Sequence, residues 1–129
     1  MNSTLGKDAD SYHKFLDYNV VESGNGFVRL EMLGFDCHRN RQDYIHGGVL
    51  MSLMDIVGIM AGCRGSDETK PAVTVNLSCN FLSSAMCRTV HAEGKVVRKG
   101  RSMFFCDCQV VDAETGKIYS TAQGVYKYL

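Results

Sequence analysis

The stretch from His46 to Cys63, HGGVLMSLMDIVGIMAGC, constrains this chain more than any other. Its eighteen residues carry one formally charged side chain, Asp55, among Val, Leu, Met and Ile on nearly every side. A helix that is apolar almost all round has to be buried, and this one is of marginal length for a bilayer. The rest of the chain must therefore wrap it. A lone carboxylate within such a helix is costly unless it is partnered or used. At helical spacing Asp55 shares a stripe with Gly48, Ser52, Gly58 and Gly62, small side chains that leave room for something to approach. Two readings follow. Either the glycines permit close packing while Asp55 bonds to a neighbouring backbone, or the carboxylate belongs to a functional site.

Gly47-Gly48 opens the stretch, so the first N–H groups of the helix point outward with no side chain shielding them. That arrangement suits a negative charge, or a carbonyl oxygen becoming one. A glycine pair is also a common loop device, and it points to a site only in company with Asp55.

A chain of 129 residues has room for one domain with a real core, expected to span 1–129. Fourteen basic residues balance fourteen acidic ones, which gives no electrostatic reason to expect nucleic acid as a partner. The first residues, MNSTLGKDADSYHK, lack the apolar core of a secretory signal, and no stretch makes a convincing membrane span. The expectation is a soluble cytoplasmic protein with no membrane partner. Six cysteines, Cys37, Cys63, Cys79, Cys87, Cys106 and Cys108, form no CxxC pair. Cys106 and Cys108 alternate along one apparent strand, and Cys37-His38 supplies only two candidate ligands. Free thiols and no metal are expected.

In chain order, Ser11 to Leu16 reads as a short helix with Ser11 as its cap. Tyr18 to Glu22 and Phe27 to Leu33 are alternating runs around Ser23-Gly24-Asn25-Gly26, which is hairpin chemistry. FDCHRNRQDY is a polar connection, long by usual loop lengths, that delivers the chain to the helix. RGSDETKP, with the only proline, Pro71, reads as a surface loop. From Val73 to Leu82 the pattern puts Val73, Val75, Leu77, Cys79 and Phe81 on one face, with Thr74, Asn76, Ser78 and Asn80 on the other. Strands at Thr89 to Val97, Ser102 to Val111 and Lys117 to Tyr128 follow, joined by RKGR and DAETGK turns. Two strands, one long apolar helix and four strands predict an α+β chain, a curved antiparallel sheet wrapped around the helix.

Asn40, His46-Gly47-Gly48 and Asp55 together resemble the N-x5-H-G-G-x6-D signature of hotdog-fold acyl-CoA thioesterases, in particular the phenylacetate-pathway (PaaI-like) subgroup. The likeness continues through PAVTVNLSCNFLSSA, RKGRS and the closing AQGVYKYL, and covers about Phe27 to the C-terminus. It implies a hotdog fold and hydrolysis of an acyl-CoA to free acid and coenzyme A, with no organic cofactor or metal. Asp55 would be general base or nucleophile, and the Gly47 amide would polarise the thioester carbonyl. Asn40 would orient the water or the carbonyl, His46 would shape the start of the helix, and Thr74 would place a hydroxyl near the carboxylate. Arg98, Lys99, Gly100, Arg101 and Ser102 match the segment that contacts coenzyme A. Without the resemblance, the same basic turn reads equally as a solvated hairpin. Ser83-Ser84 departs from the Ser-Pro often found at that point of the family, which bears on loop rigidity.

The residues support these roles on chemical grounds. Thioester hydrolysis needs a base or nucleophile and a donor for the developing oxyanion. A thiolate leaves easily, and no Ser-His-Asp arrangement is present. Gly47 and Asp55, eight residues apart, are separated by roughly 12 Å along one helix. A site using both needs two chains, so at least a homodimer is expected, and a homotetramer as a dimer of dimers. A non-catalytic acyl-CoA-binding protein is the alternative, less well matched because binding alone gives no reason to bury Asp55. A Met-rich apolar pocket is compatible with aromatic, medium-chain or small acyl groups.

Overall fold

The elements follow the expected order along the chain. The computed structural model describes residues 11–63 and 70–129. In order they form α1 (Ser11–Leu16), β1 (Tyr18–Gly24), β2 (Phe27–Leu33), a one-turn 3-10 helix (Asp36–His38), α2 (Gly47–Cys63), β3 (Ala72–Phe81), β4 (Thr89–Lys99), β5 (Met103–Asp112) and β6 (Ile118–Tyr128). The strands make one antiparallel, six-stranded sheet in the order β1-β2-β4-β5-β6-β3. The sheet curves around α2, which is the α+β hotdog arrangement. Of the RGSDETKP segment, residues 64–69 lie outside the described residues.

The β1–β2 hairpin turns at Asn25-Gly26, both with positive φ (48° and 76°), the conformation that Asn-Gly supplies at little cost. Ser11 is the first residue of α1 rather than its cap. The long connection before α2 is not plain loop: it holds the 3-10 turn and closes on itself through a bridge between Arg39 and Ile45.

Leu50, Leu53, Met54, Val57 and Ala61 bury one side of α2 against Leu30, Met32, Val90, Ala92, Phe104 and Val110 of the sheet. The small-residue stripe is partly filled by the sheet itself. The Tyr126 hydroxyl occupies the space a side chain at Gly58 would need, and the Phe104 ring occupies that of Gly62. Phe104 stacks on Tyr126 at 4.9 Å between centroids and packs on Tyr128 at 4.8 Å. The room expected along the stripe is therefore open only at its N-terminal half.

One strand departs from its sequence pattern. β3 pairs with β6 in a register that shifts between Thr74 and Asn76, so Val75 is an extra residue. Cross-strand partners share a face. Thr74, Leu77, Cys79 and Phe81 lie opposite the buried Tyr126, Gly124, Ala122 and Ser120, whereas Val73 lies opposite the exposed Lys127. The bulge thus removes Val73 from the helix-facing side and puts Thr74 there. Strict alternation across Val75 missed this.

Gly94 of β4 gives the fold a sharp test. A methyl group there would sit 2.7 Å from the Val57 carbonyl oxygen of α2. Strand propensity favours Gly94→Ala, but a helix backbone cannot give way as a side-chain tip can. The substitution should destabilise by about 1–3 kcal/mol, as overpacking does. Urea unfolding should show a lower midpoint at unchanged slope.

Candidate active site

The start of α2 is set by His46, which lies just outside the helix. Its Nδ1 accepts the Gly48 N–H at 2.8 Å, and its carbonyl accepts the N–H groups of Val49 (2.9 Å) and Leu50 (3.2 Å). His46 is therefore an N-cap, with a ring nitrogen in the place of the usual hydroxyl or carboxylate oxygen. Nδ1 is thus spent on the cap, which leaves Nε2 as the ring nitrogen facing outward. Gly47 follows as the first helical residue, where helix geometry leaves the N–H without an intrahelical partner.

Asp55 sits two turns further along, on the flank of α2 that faces β3. It is half-buried rather than deeply enclosed. Its partner is not a neighbouring backbone group: the Thr74 hydroxyl donates to Asp55 Oδ1 at 2.7 Å. The bulge at Val75 makes this contact possible by turning Thr74 inward. Among the described residues Oδ2 has no protein donor, which leaves it open to a water or a substrate.

Asn40 organises the connection that precedes the helix. Its Oδ1 accepts the N–H groups of Gln42 (3.0 Å) and Tyr44 (3.1 Å), and its own N–H donates to the Tyr44 carbonyl at 2.8 Å. Only the side-chain NH2 is left to face outward. Asn40, Tyr44, Gly47, Leu50, Phe81 and Ser83 border an open cleft of about 300 Å3. A larger groove of about 620 Å3, past Phe35, Cys37 and Met86, contains none of the candidate residues. Its Arg39 is spent on the carbonyls of Gly34, Asp43 and Cys87 and holds the loop.

The structure brings together Asn40 with Gly47, and Asp55 with Thr74, but as two separate pairs along α2. The basic turn is elsewhere again. Arg98, Lys99, Gly100, Arg101 and Ser102 are exposed at the β4–β5 turn, which is closed by the Gly100 N–H on the Met103 carbonyl at 2.7 Å. Among the described residues no carboxylate neutralises Arg98 or Arg101. Lys99 Nζ lies over the Tyr128 ring at 5.7 Å, and the Tyr128 hydroxyl donates to the Gly62 carbonyl at 2.7 Å. The turn therefore belongs to the C-terminal end of α2, a helix of 17 residues. That end is about 24 Å from Gly47 at the usual rise.

All six cysteines are free. Burial pushes the Cys106 thiol up to about 12 and raises Cys63, Cys79, Cys87 and Cys108 as well, the opposite of what a nucleophilic thiol needs. Among the described residues no group of three or more His, Cys, Asp or Glu could hold a metal ion. No described helix is long and apolar enough to cross a membrane. The residue that sequence reasoning passed over is His38. It is wholly buried, and its only signal was its adjacency to Cys37, a pair set aside as too few ligands for a metal.

This geometry has relatives. A protein of Saccharolobus solfataricus whose esterase name is provisional is 33% identical over 123 residues, 95% of this chain and 86% of its own. Human acyl-coenzyme A thioesterase 13 is 26% identical over 106 residues, 81% of this chain and 74% of its own. The solved structure of the Escherichia coli PaaI protein from the phenylacetic acid degradation operon superposes with a TM-score of 0.84. It covers 95% of this chain and 86% of that one at 22% identity, a likeness of fold. Residues 42–119 match the family described as the thioesterase superfamily. That span holds both the amide at the start of α2 and the Asp55–Thr74 pair, so the chain belongs to the thioesterase superfamily.

Proposed function

We propose that this protein hydrolyses acyl-CoA thioesters at a site shared between two copies of the chain, with subgroup affinity to the PaaI-like enzymes. The observation that carries the reading is the Asp55–Thr74 pair: a carboxylate on an otherwise apolar helix, held at one oxygen and open at the other. Asp55 Oδ2 takes the proton of a water attacking the thioester carbonyl, or attacks that carbon itself to form an acyl-aspartyl anhydride, which water hydrolyses to the free acid once the thiolate has left. The carbonyl oxygen gains negative charge against the Gly47 N–H, and the Asn40 side-chain NH2 orients the water or the carbonyl. The coenzyme A thiolate then leaves. No organic cofactor or metal takes part in this scheme. Six free thiols suit a reducing compartment and support a cytoplasmic setting as part of this proposal.

The pairing of chains follows from distance. Gly47 and Asp55 of one chain are roughly 12 Å apart along α2. A two-fold partner with an antiparallel helix sets its own Asp55 beside Gly47, and its own basic turn towards the same end. β3 supports this reading, because it is an edge strand of 10 residues whose Val73, Val75 and Phe81 are about half exposed. An apolar edge of that length is a place for a second copy to add. Tetramer formation as a dimer of dimers is the extension of this proposal. Arg98, Lys99, Gly100, Arg101 and Ser102 would hold the phosphates of coenzyme A by charge and hydrogen bonds.

Three outcomes test these assignments. Asp55→Asn keeps the shape and should lower kcat by about 10²- to 10⁴-fold while substrate still binds. Thiol release at close to the wild-type rate would sink the mechanism. Arg98→Ala with Arg101→Ala should weaken inhibition by free coenzyme A, more so at low salt, and leave hydrolysis of a substrate lacking the nucleotide unchanged. Refolding Asn40→Ala and Asp55→Asn together should restore about a quarter of sites, since random pairing makes about half the dimers mixed and each has one intact site. Activity no greater than that of the separate variants would place both groups in one chain.

A further inference from the structure

His38 is the one fully buried histidine, and every polar atom it has is engaged between three segments. Its Nδ1 accepts the Phe35 N–H at 3.1 Å. A backbone N–H can only donate, so Nδ1 is the acceptor and Nε2 carries the proton, which it gives to the Phe15 carbonyl at 2.6 Å. The ring also meets the edge of Phe15 at 5.0 Å and packs against Phe35 at 6.0 Å. Its backbone carbonyl accepts the His46 N–H at 2.8 Å. The end of α1, the 3-10 turn and the start of α2 thus converge on one side chain and its peptide. α1 reaches α2 a second time, where Tyr12 and Ser52 share a hydrogen bond, one turn before Asp55.

We infer that His38 is a positioning residue for the Gly47 amide, a role that rests on the acyl-CoA reading above. In a trans peptide the Gly47 N–H points opposite to the His46 carbonyl. That carbonyl is aimed down the helix at Val49 and Leu50, and the His46 N–H is held by the His38 carbonyl. The direction of the carbonyl-polarising N–H is therefore set by where His38 holds His46. The imidazole keeps His38 in place by bonding α1 on one side and Phe35 on the other. A leucine of similar volume would fill the space but would leave the Phe35 N–H and the Phe15 carbonyl unpaired.

The experiment is steady-state thiol release from an acyl-CoA, in the wild type and three variants. His38→Asn puts an amide oxygen where Nδ1 accepts and has no donor that reaches Phe15. His38→Gln extends an amide NH2 to the Nε2 position and can restore that donor. In His38→Asn, kcat should fall by about tenfold or more while KM changes by less than about twofold, as when a group acting in the transition state is displaced. His38→Gln should recover most of the loss. Phe15→Ala changes a partly exposed ring, buries no unpaired group, and covers the case in which the buried variants do not fold. It too should lower kcat more than it changes KM. Unchanged kcat in Phe15→Ala overturns the inference, and so do equal losses in the Asn and Gln variants that track their thermal stability. A wild type that releases no thiol from any acyl-CoA overturns the acyl-CoA reading and this inference with it. An active wild type with unaffected variants overturns this inference alone.

Discussion

The structure depends on how closely the α2 backbone lies against the middle of the sheet. Gly94 admits the Val57 carbonyl where a side chain would stand, and Gly58 and Gly62 admit Tyr126 and Phe104 from the opposite direction. Hydrogen bonds reinforce the approach: Cys106 Sγ donates to the Gly58 carbonyl at 3.3 Å, and the Tyr128 hydroxyl donates to that of Gly62 at 2.7 Å. The buried Tyr126 hydroxyl fills the gap at Gly58 beside the Cys108 thiol, and among the described residues no oxygen or nitrogen bonds to it. Contacts of this kind fix the rotation of α2 about its axis as well as its distance. One residue of rotation, about 100°, would carry Asp55 off the β3 flank and away from Thr74.

Much of this was legible because hydrophobic period is a strong signal when elements are long. α2 could only be buried, and strands β4 to β6 alternate over most of their length, so the curved sheet around one helix followed. The misses share a cause: each depends on a contact with a partner distant in sequence. Val73 to Phe81 alternates perfectly on paper, yet the ladder to β6 inserts Val75 as a bulge and exchanges Val73 for Thr74 on the inner face. Gly58 and Gly62 looked like room for a ligand because nothing in the helix itself reveals that Phe104 and Tyr126 reach them. His38 gave no period and no motif, and its meaning came from Phe15, 23 residues away.

In the site, residues chosen for chemistry also build the scaffold. His46 spends Nδ1 on the helix cap, and Asn40 spends its oxygen on the turn that leads to it. What remains available after this local bonding is the Gly47 N–H and the Asn40 NH2, two donors at one end of the helix. The acceptor, Asp55, is on a different turn and answers to a different strand. Separation of donors from acceptor leaves Asp55 Oδ2 open instead of locked in a bond to its own helix start.

β3 couples that separation to assembly. The same ten residues that supply Thr74 to Asp55 form an outer edge that, among the described residues, pairs with a strand on one side only. The bulge at Val75 serves both ends: it turns Thr74 in, and it leaves Val73 and Val75 exposed on the edge. In the proposed dimer, a second chain docking on this edge would desolvate the strand that holds the Asp55 carboxylate. The Asp55–Thr74 bond would then strengthen as the medium around it became less polar. A chain alone would have the residues of the site but neither the donor end of a second helix nor the dry surroundings in which the Gly47 N–H has its largest effect.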